Sequence, residues 1–159
     1  RSFARFTLEL MYTLSTNFQR VRTFVFIDSL DEVSDKLSVA GHLGAALDAV
    51  DSQADVVHYD GQSWYGNCFT QFWDKYGREL TPKATVLILG DARNNFRTSG
   101  AEVLMRIQSR VRHVWWLNPE PRQHWDSADS IARDFARYTD GMYETRNLRQ
   151  LEAFVKKAL

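Results

Sequence analysis

Most of the familiar signatures of soluble catalysts are missing from these 159 residues. No Gly-rich phosphate loop ending in Lys-Ser/Thr occurs, and no dinucleotide fingerprint; Gly41 and Gly44 fall inside a helical pattern and are too sparse to cradle a pyrophosphate. A nucleotide site is therefore disfavoured. The Gly-x-Ser-x-Gly elbow of esterases is also absent, because Gly61-Gln62-Ser63-Trp64-Tyr65-Gly66 has the wrong spacing. Cys68 has no sharp turn to make it a nucleophile. The histidines His42, His58, His113 and His124 never stand four apart as zinc ligands on one helix do, which leaves them surface or structural roles. One cysteine cannot form an internal disulfide, and this suits a reducing compartment, the cytoplasm by default. With 20 Lys and Arg against 20 Asp and Glu, no net field favours nucleic acid or an acidic membrane. No apolar run approaches the ~20 residues that span a bilayer, and no signal-peptide pattern opens the chain.

What is present reads as a globular α/β chain, 44% hydrophobic and 13% aromatic. Phe3, Phe6, Leu10, Leu14 and Phe18 recur at helical spacing, widened by Leu8, Met11 and Tyr12, and predict a buried first helix. Thr23–Ile27 reads as a strand, turned by Asp28 and Ser29 into a short return over Leu30–Val33. A second helix is expected over Val39–Val50, with Leu43, Ala46, Leu47 and Val50 on one side and Ser38 as its cap. Val56–Tyr59 leads into the turn-rich Asp60–Ser63, which opens a helix bearing Phe69, Phe72, Trp73 and Tyr76 and ending at Gly77. A strand over Thr85–Leu89, a helix over Ala101–Val111 and a strand over Val114–Leu117 follow. Then come a helix over Ser127–Tyr138, a short strand over Gly141–Thr145 and a helix from Leu148 with Leu151, Phe154, Val155 and Leu159 inward. Strands alternating with helices, with no repeat and no linker, predict one doubly wound, mostly parallel sheet with helices on both faces.

The run Ala84-Thr85-Val86-Leu87-Ile88-Leu89-Gly90-Asp91 is a buried strand that stops on a carboxylate. Ligands of open α/β sheets bind at the carboxyl edge, so Asp91 stands where a cation ligand or catalytic carboxylate would stand; it could equally close a turn. Ser63 opens a helix and could project from the same edge, or serve as an ordinary helix cap. A hydroxyl and a carboxylate suit Mg²⁺, which takes oxygen ligands and keeps several waters, although two ligands are too few for firm binding.

Four segments together resemble a known family: Arg22-Thr23-Phe24-Val25-Phe26, Ile88-Leu89-Gly90-Asp91-Ala92-Arg93-Asn94-Asn95, Val114-Trp115-Trp116-Leu117-Asn118-Pro119-Glu120-Pro121 and Arg146-Asn147-Leu148-Arg149-Gln150-Leu151-Glu152. They are similar to the CoxE-like subgroup of von Willebrand factor A (VWA) domains, in register over nearly the whole chain. The resemblance implies a Rossmann-like VWA fold and a Mg²⁺-dependent adhesion site at the carboxyl edge of the sheet. The family builds that site from an Asp-x-Ser-x-Ser loop after the first strand, a Thr from a second loop and an Asp after the fourth strand. Asp91 matches the last, and Ser63 falls where the family usually has Thr. The Asp-x-Ser-x-Ser loop is absent; Asp28-Ser29-Leu30-Asp31 and Asp126-Ser127-Ala128-Asp129-Ser130 have neither its spacing nor its place.

Residues 1–159 are therefore expected to form a single VWA-like domain lacking its first central strand, with Mg²⁺ binding in the intact domain and weak or no binding here. Deleting that strand should leave a slot between Thr23–Ile27 and Thr85–Leu89, filled by another segment or empty; direct pairing of Phe24–Phe26 with Val86–Ile88 would refute this. The implied function is a non-enzymatic protein-interaction module whose Mg²⁺ accepts a partner's carboxylate. Its implied partner is a MoxR-type AAA+ ATPase with its client, in protein remodelling or metalloenzyme maturation. Trp64, Tyr65, Arg93, Asn94 and Asn95 are expected at the partner-binding rim, Asn94 and Asn95 having the alternative task of satisfying loop backbone. Two other classes stay open: a metal-assisted hydrolase using Asp91 with Asp60 or Asp28, and a metal-free structural adaptor.

Overall fold

The computed structural model describes residues 7, 9–14, 20–39, 44, 45, 48 and 63–158. The chain divides into two compact units, Arg1–Gly61 and Gln62–Leu159.

In the first unit, residues 9–14 are helical, and half of the expected apolar face (Phe3, Phe6, Leu8, Phe18) lies outside the described residues. The β-rich Phe24–Phe26 forms β1, which pairs antiparallel with β2 (Leu30–Glu32) in the register Phe24↔Glu32, Val25↔Asp31, Phe26↔Leu30. Residues 27–29 make the expected turn. Arg22 clasps Glu32 with two hydrogen bonds of 2.9 and 2.7 Å, fixing the start of the hairpin to its end. Val33 and Leu37 are buried against Met11, Tyr12 and Val25. A helix that the sequence pattern did not predict, α1, runs from Ser34 to Val39; of the expected Val39–Val50 helix, residues 44, 45 and 48 are described and are helical. Ser38 is therefore not a helix-starting cap: it lies in the last turn, and its hydroxyl donates to the Asp35 carbonyl at 3.0 Å. Leu43, Ala46, Leu47, Val50, His42 and Val56–Tyr59 lie outside the described residues.

The second unit carries the layered sheet. Helix α2 (Tyr65–Tyr76), strand β3 (Thr85–Leu89), helix α3 (Ala101–Gln108), strand β4 (His113–Asn118), a 3₁₀ turn (Arg122–His124), helix α4 (Ala132–Ala136), strand β5 (Gly141–Glu144) and helix α5 (Leu148–Ala158) follow in order. The strands lie β3-β4-β5, all parallel, with Leu87 opposite Trp115 and Leu117 opposite Tyr143. Adjacent residues on a strand face opposite ways, so Trp115 and Trp116 divide between the two faces as expected. Trp116 is fully buried, stacked on Phe135 of α4 at 4.9 Å with Tyr65 and Phe69 of α2 at 5.5 and 6.3 Å. Trp115 meets Phe154 of α5 at 6.2 Å on the other face. Helices thus cover both faces of a parallel sheet, the doubly wound α/β arrangement of a Rossmann-like fold.

Strand β3 departs from a both-sides-covered central strand. Among the described residues it has a strand partner on one side only, and Val86, Leu87 and Leu89 are half-buried while Thr85 is exposed.

Two helices are shorter than their patterns predict. Helix α3 stops at Gln108, three residues early. Helix α4 spans Ala132–Ala136 only, because residues before it bond to the loop after β3: Asn94 N–H donates to the Asp129 carbonyl (3.0 Å) and Ile131 N–H to the Ala92 carbonyl (2.9 Å). Asp126 and Ala128 take left-handed φ of 62° and 54°, which no helix tolerates. Val155 of α5 is 41% exposed rather than inward, since Phe154 is the residue of that helix facing Trp115 and Tyr143.

Candidate functional site

The carboxyl edge of β3 is built by close approach. Gly90 follows the strand, and a Cβ there would lie 2.2 Å from the Tyr65 hydroxyl, so only glycine lets α2 bring that ring to the edge. Tyr65 is 2% exposed and sits among Phe69, Trp116 and Phe135; burial, with the Asp91 carboxylate beside it, pushes its phenol well above the usual range. The neutral hydroxyl donates to Asp91 Oδ1 at 3.1 Å and accepts from Ala92 N–H at 3.2 Å. Arg93 N–H donates to the same Oδ1 at 2.9 Å. Asn118, fully buried at the end of β4, donates to the Asp91 carbonyl at 3.2 Å. Asp91 Oδ2 has no partner among the described residues.

Ser63 arrives at the same edge. Asn95 Nδ2 donates to its carbonyl at 2.9 Å, so two bonds, Asn95 to Ser63 and Tyr65 to Asp91, tie the start of α2 to the loop after β3. Ser63 is not the helix cap: that position is held by Trp64, and no side chain caps the helix. The Ser63 hydroxyl has no partner among the described residues. The segments bearing Ser63 and Asp91 are thus tied to each other, and each residue has one side-chain oxygen without a partner among the described residues.

The expected rim is corrected at two positions. Tyr65 is not an exposed contact but a buried strut, and Asn94, 1% exposed, donates from Nδ2 to the Arg97 carbonyl while its backbone carbonyl accepts from Arg97 N–H, the loop-satisfying task. Trp64 is half-buried, with Nε1 donating to the Thr98 carbonyl at 3.3 Å and the Arg97 guanidinium 5.2 Å above its ring. It lines a cavity of about 430 Å³ with Asn67, Thr70, Ser99 and Glu102. Phe96, which the sequence reading passed over, is the most exposed large apolar residue described, 87% accessible at a left-handed φ of 56°. Its signal was an aromatic between Asn95 and Arg97 in a polar loop.

Arg93 is engaged rather than free. Its guanidinium grips Glu120 at 2.7 and 2.9 Å and Asp129 at 2.8 Å, joining the loop after β3 to the loop after β4. These two carboxylates hold it charged, well above even the usual arginine range. Burial would push Asp129 up, but the Arg93 hydrogen bond, the Asn95 N–H and the adjacent positive charge outweigh it and leave the carboxyl below its ordinary value. A folded-state value below the unfolded one stabilises above about pH 4, and that contribution is lost as pH falls through the folded value. Arg93→Ala is expected to cost about 1–3 kcal/mol at pH 7, the groups being partly solvated. In melting curves the gap between variant and wild type should narrow below about pH 4. A gap independent of pH would remove the ion pairs from the account.

A family model for the VWA domain containing CoxE-like protein matches residues 1–154. The chain belongs to the CoxE-like VWA family. Comparison with curated proteins and with solved structures returns no match. CoxE-like VWA domains are not a known enzyme class. No described helix is long and apolar enough to cross a membrane. The cation implied by a VWA site can be tested against the donors: an uncommitted carboxylate oxygen and an uncommitted hydroxyl, on segments bonded to each other, fit a hard, oxygen-seeking ion. Among the described residues no group of three His, Cys, Asp or Glu is placed to hold a metal, and Asp60 lies outside them.

Proposed function

We propose that this CoxE-like VWA domain is a cytoplasmic protein-interaction module whose Mg²⁺, held by Asp91 and Ser63, accepts a carboxylate from a partner. The observation that carries the reading is the uncommitted Asp91 Oδ2 at the carboxyl edge, its sister oxygen fixed by two donors. A hard cation with open positions selects an acidic side chain, which is binding chemistry rather than turnover. The partner class is a MoxR-type AAA+ ATPase acting with a client in protein remodelling or metalloenzyme maturation. The hydrolase alternative rests on no observation of the described residues, Asp60 lying outside them.

Calorimetric titration of MgCl₂ into the chain and into Asp91→Ala tests the site. A weak isotherm for the wild type, reduced about tenfold or more in the variant, is the expected result. Equal binding by both removes Asp91 from any metal role. Binding by neither favours a metal-free adaptor, a reading supported by there being no group of three His, Cys, Asp or Glu placed to hold a metal among the described residues. A pull-down in which a MoxR-type ATPase is ignored with and without Mg²⁺ would count against the partner class.

A further inference from the structure

We infer that the Tyr65 hydroxyl is the positioning group that makes Asp91 a one-oxygen ligand and thereby sets which divalent cation the edge prefers. The inference rests on the metal-site reading and deepens it. An ionised carboxylate has about four lone-pair directions, two on each oxygen. At Asp91 both directions on Oδ1 are taken, by the Tyr65 O–H at 3.1 Å and by Arg93 N–H at 2.9 Å. Among the described residues nothing bonds Oδ2, which is left to face a cation.

The donor cannot drift away from this arrangement. Tyr65 is wedged by Phe69, Trp116 and Phe135 at 6.0, 5.5 and 5.4 Å, and its oxygen is pinned a second time by Ala92 N–H. Gly90 leaves no Cβ to push it back. Ala92 itself is fully buried at a left-handed φ of 60°, a conformation L residues adopt at a cost, and that conformation aims its N–H at the Tyr65 oxygen. Two donors therefore fix Oδ1 before any ion arrives, one of them held in turn by the Ala92 N–H.

Cation choice follows from denticity. Mg²⁺ requires near-octahedral geometry, keeps several waters and takes carboxylates through one oxygen. Ca²⁺ takes six to eight oxygens and readily uses a carboxylate through both. Blocking Oδ1 removes the two-oxygen mode, so the arrangement discriminates against the larger ion rather than adding attraction for the smaller.

Tyr65→Phe keeps the ring and deletes the single hydroxyl. In the metal-free chain, the ¹³C resonance of the Asp91 carboxyl carbon is expected to move in the variant. In titrations with MgCl₂ and CaCl₂ followed at the Ser63 and Arg93 amides, the ratio of Mg²⁺ to Ca²⁺ affinity is expected to fall roughly tenfold. A general loss of stability lowers both affinities together and leaves their ratio alone, because both ions bind the same folded state. An unmoved Asp91 carboxyl resonance overturns the positioning role whether or not metal binds. Binding of both ions with an unchanged ratio overturns the selectivity and leaves the metal site standing. A wild-type chain that responds to neither ion overturns the metal reading and the selectivity with it, while the carboxyl resonance still decides the positioning.

Discussion

Trp116→Ala is expected to lower the stability of the layered unit by about 4–8 kcal/mol, enough to bring an ordinary domain close to unfolding at room temperature. Two independent losses add. The indole is fully buried between Phe135 at 4.9 Å, Tyr65 at 5.5 Å and Phe69 at 6.3 Å, and removing a large aromatic from such a core costs about 3–5 kcal/mol. Its Nε1 donates to the Gly90 carbonyl at 2.7 Å, and a buried carbonyl left without a donor costs about 1–3 kcal/mol more. Trp116→Phe separates them, since it keeps most of the packing and loses the bond, with an expected loss of about 1–3 kcal/mol. Urea unfolding followed by far-UV circular dichroism checks both. A Trp116→Ala midpoint close to wild type would mean that α2 and α4 do not rest on β4 as described. The bond to Gly90 also links core to function: it fixes the residue before Asp91 from beneath.

The sequence made the layered unit legible wherever burial is set by local period. Val114-Trp115-Trp116-Leu117 must alternate, and the faces found for Trp115 and Trp116 follow from that alone. Asp91 was legible because an apolar run cannot end on a carboxylate inside a core. Tyr65 was misread, although the helical stripe Phe69, Phe72, Tyr76 extends back by four residues to Tyr65 and puts it on the inner face. The ion pairs of Arg93 left no trace in the sequence, since Glu120 and Asp129 lie 27 and 36 residues away and no periodicity connects them. The length of α4 failed for the same reason: Asp129 and Ile131 bond to the loop after β3, and that tertiary contact overrides a helical pattern. The role of the Asp91 edge came from family resemblance, because a lone carboxylate at a strand end fits either a ligand or a turn.

Gly100→Ala is expected to damage both the fold and the site, through the point where α2 and α3 touch backbone to backbone. Gly100 caps α3 at a left-handed φ of 69°, and a Cβ there would lie 2.5 Å from the Gly66 Cα. A Cβ on Gly66 would in turn lie 2.3 Å from the Thr98 carbonyl oxygen, so the contact is closed from both sides. Backbone cannot rotate aside as a side chain can. The left-handed conformation costs an alanine about 1–2 kcal/mol and the overpacking about 1–3 kcal/mol, giving roughly 2–5 kcal/mol in all. The relief comes from moving α2 away from the loop that leads into Gly100. Ser63 and Tyr65 lie at the start of that helix, and Asp91 and Asn95 lie in that loop, so the bonds Tyr65–Asp91 and Asn95–Ser63 should lengthen together. Gly77→Ala supplies the control, because a Cβ there would meet the Trp73 carbonyl at 2.5 Å and the Trp73 ring, at the other end of α2. Thermal melts should show both variants destabilised, whereas the Arg93 amide resonance, which reports the bond to Asp91 Oδ1, should shift only in Gly100→Ala. An equal shift in both would mean that the edge responds to loss of stability in general, and that the Gly66–Gly100 contact has no particular hold on it.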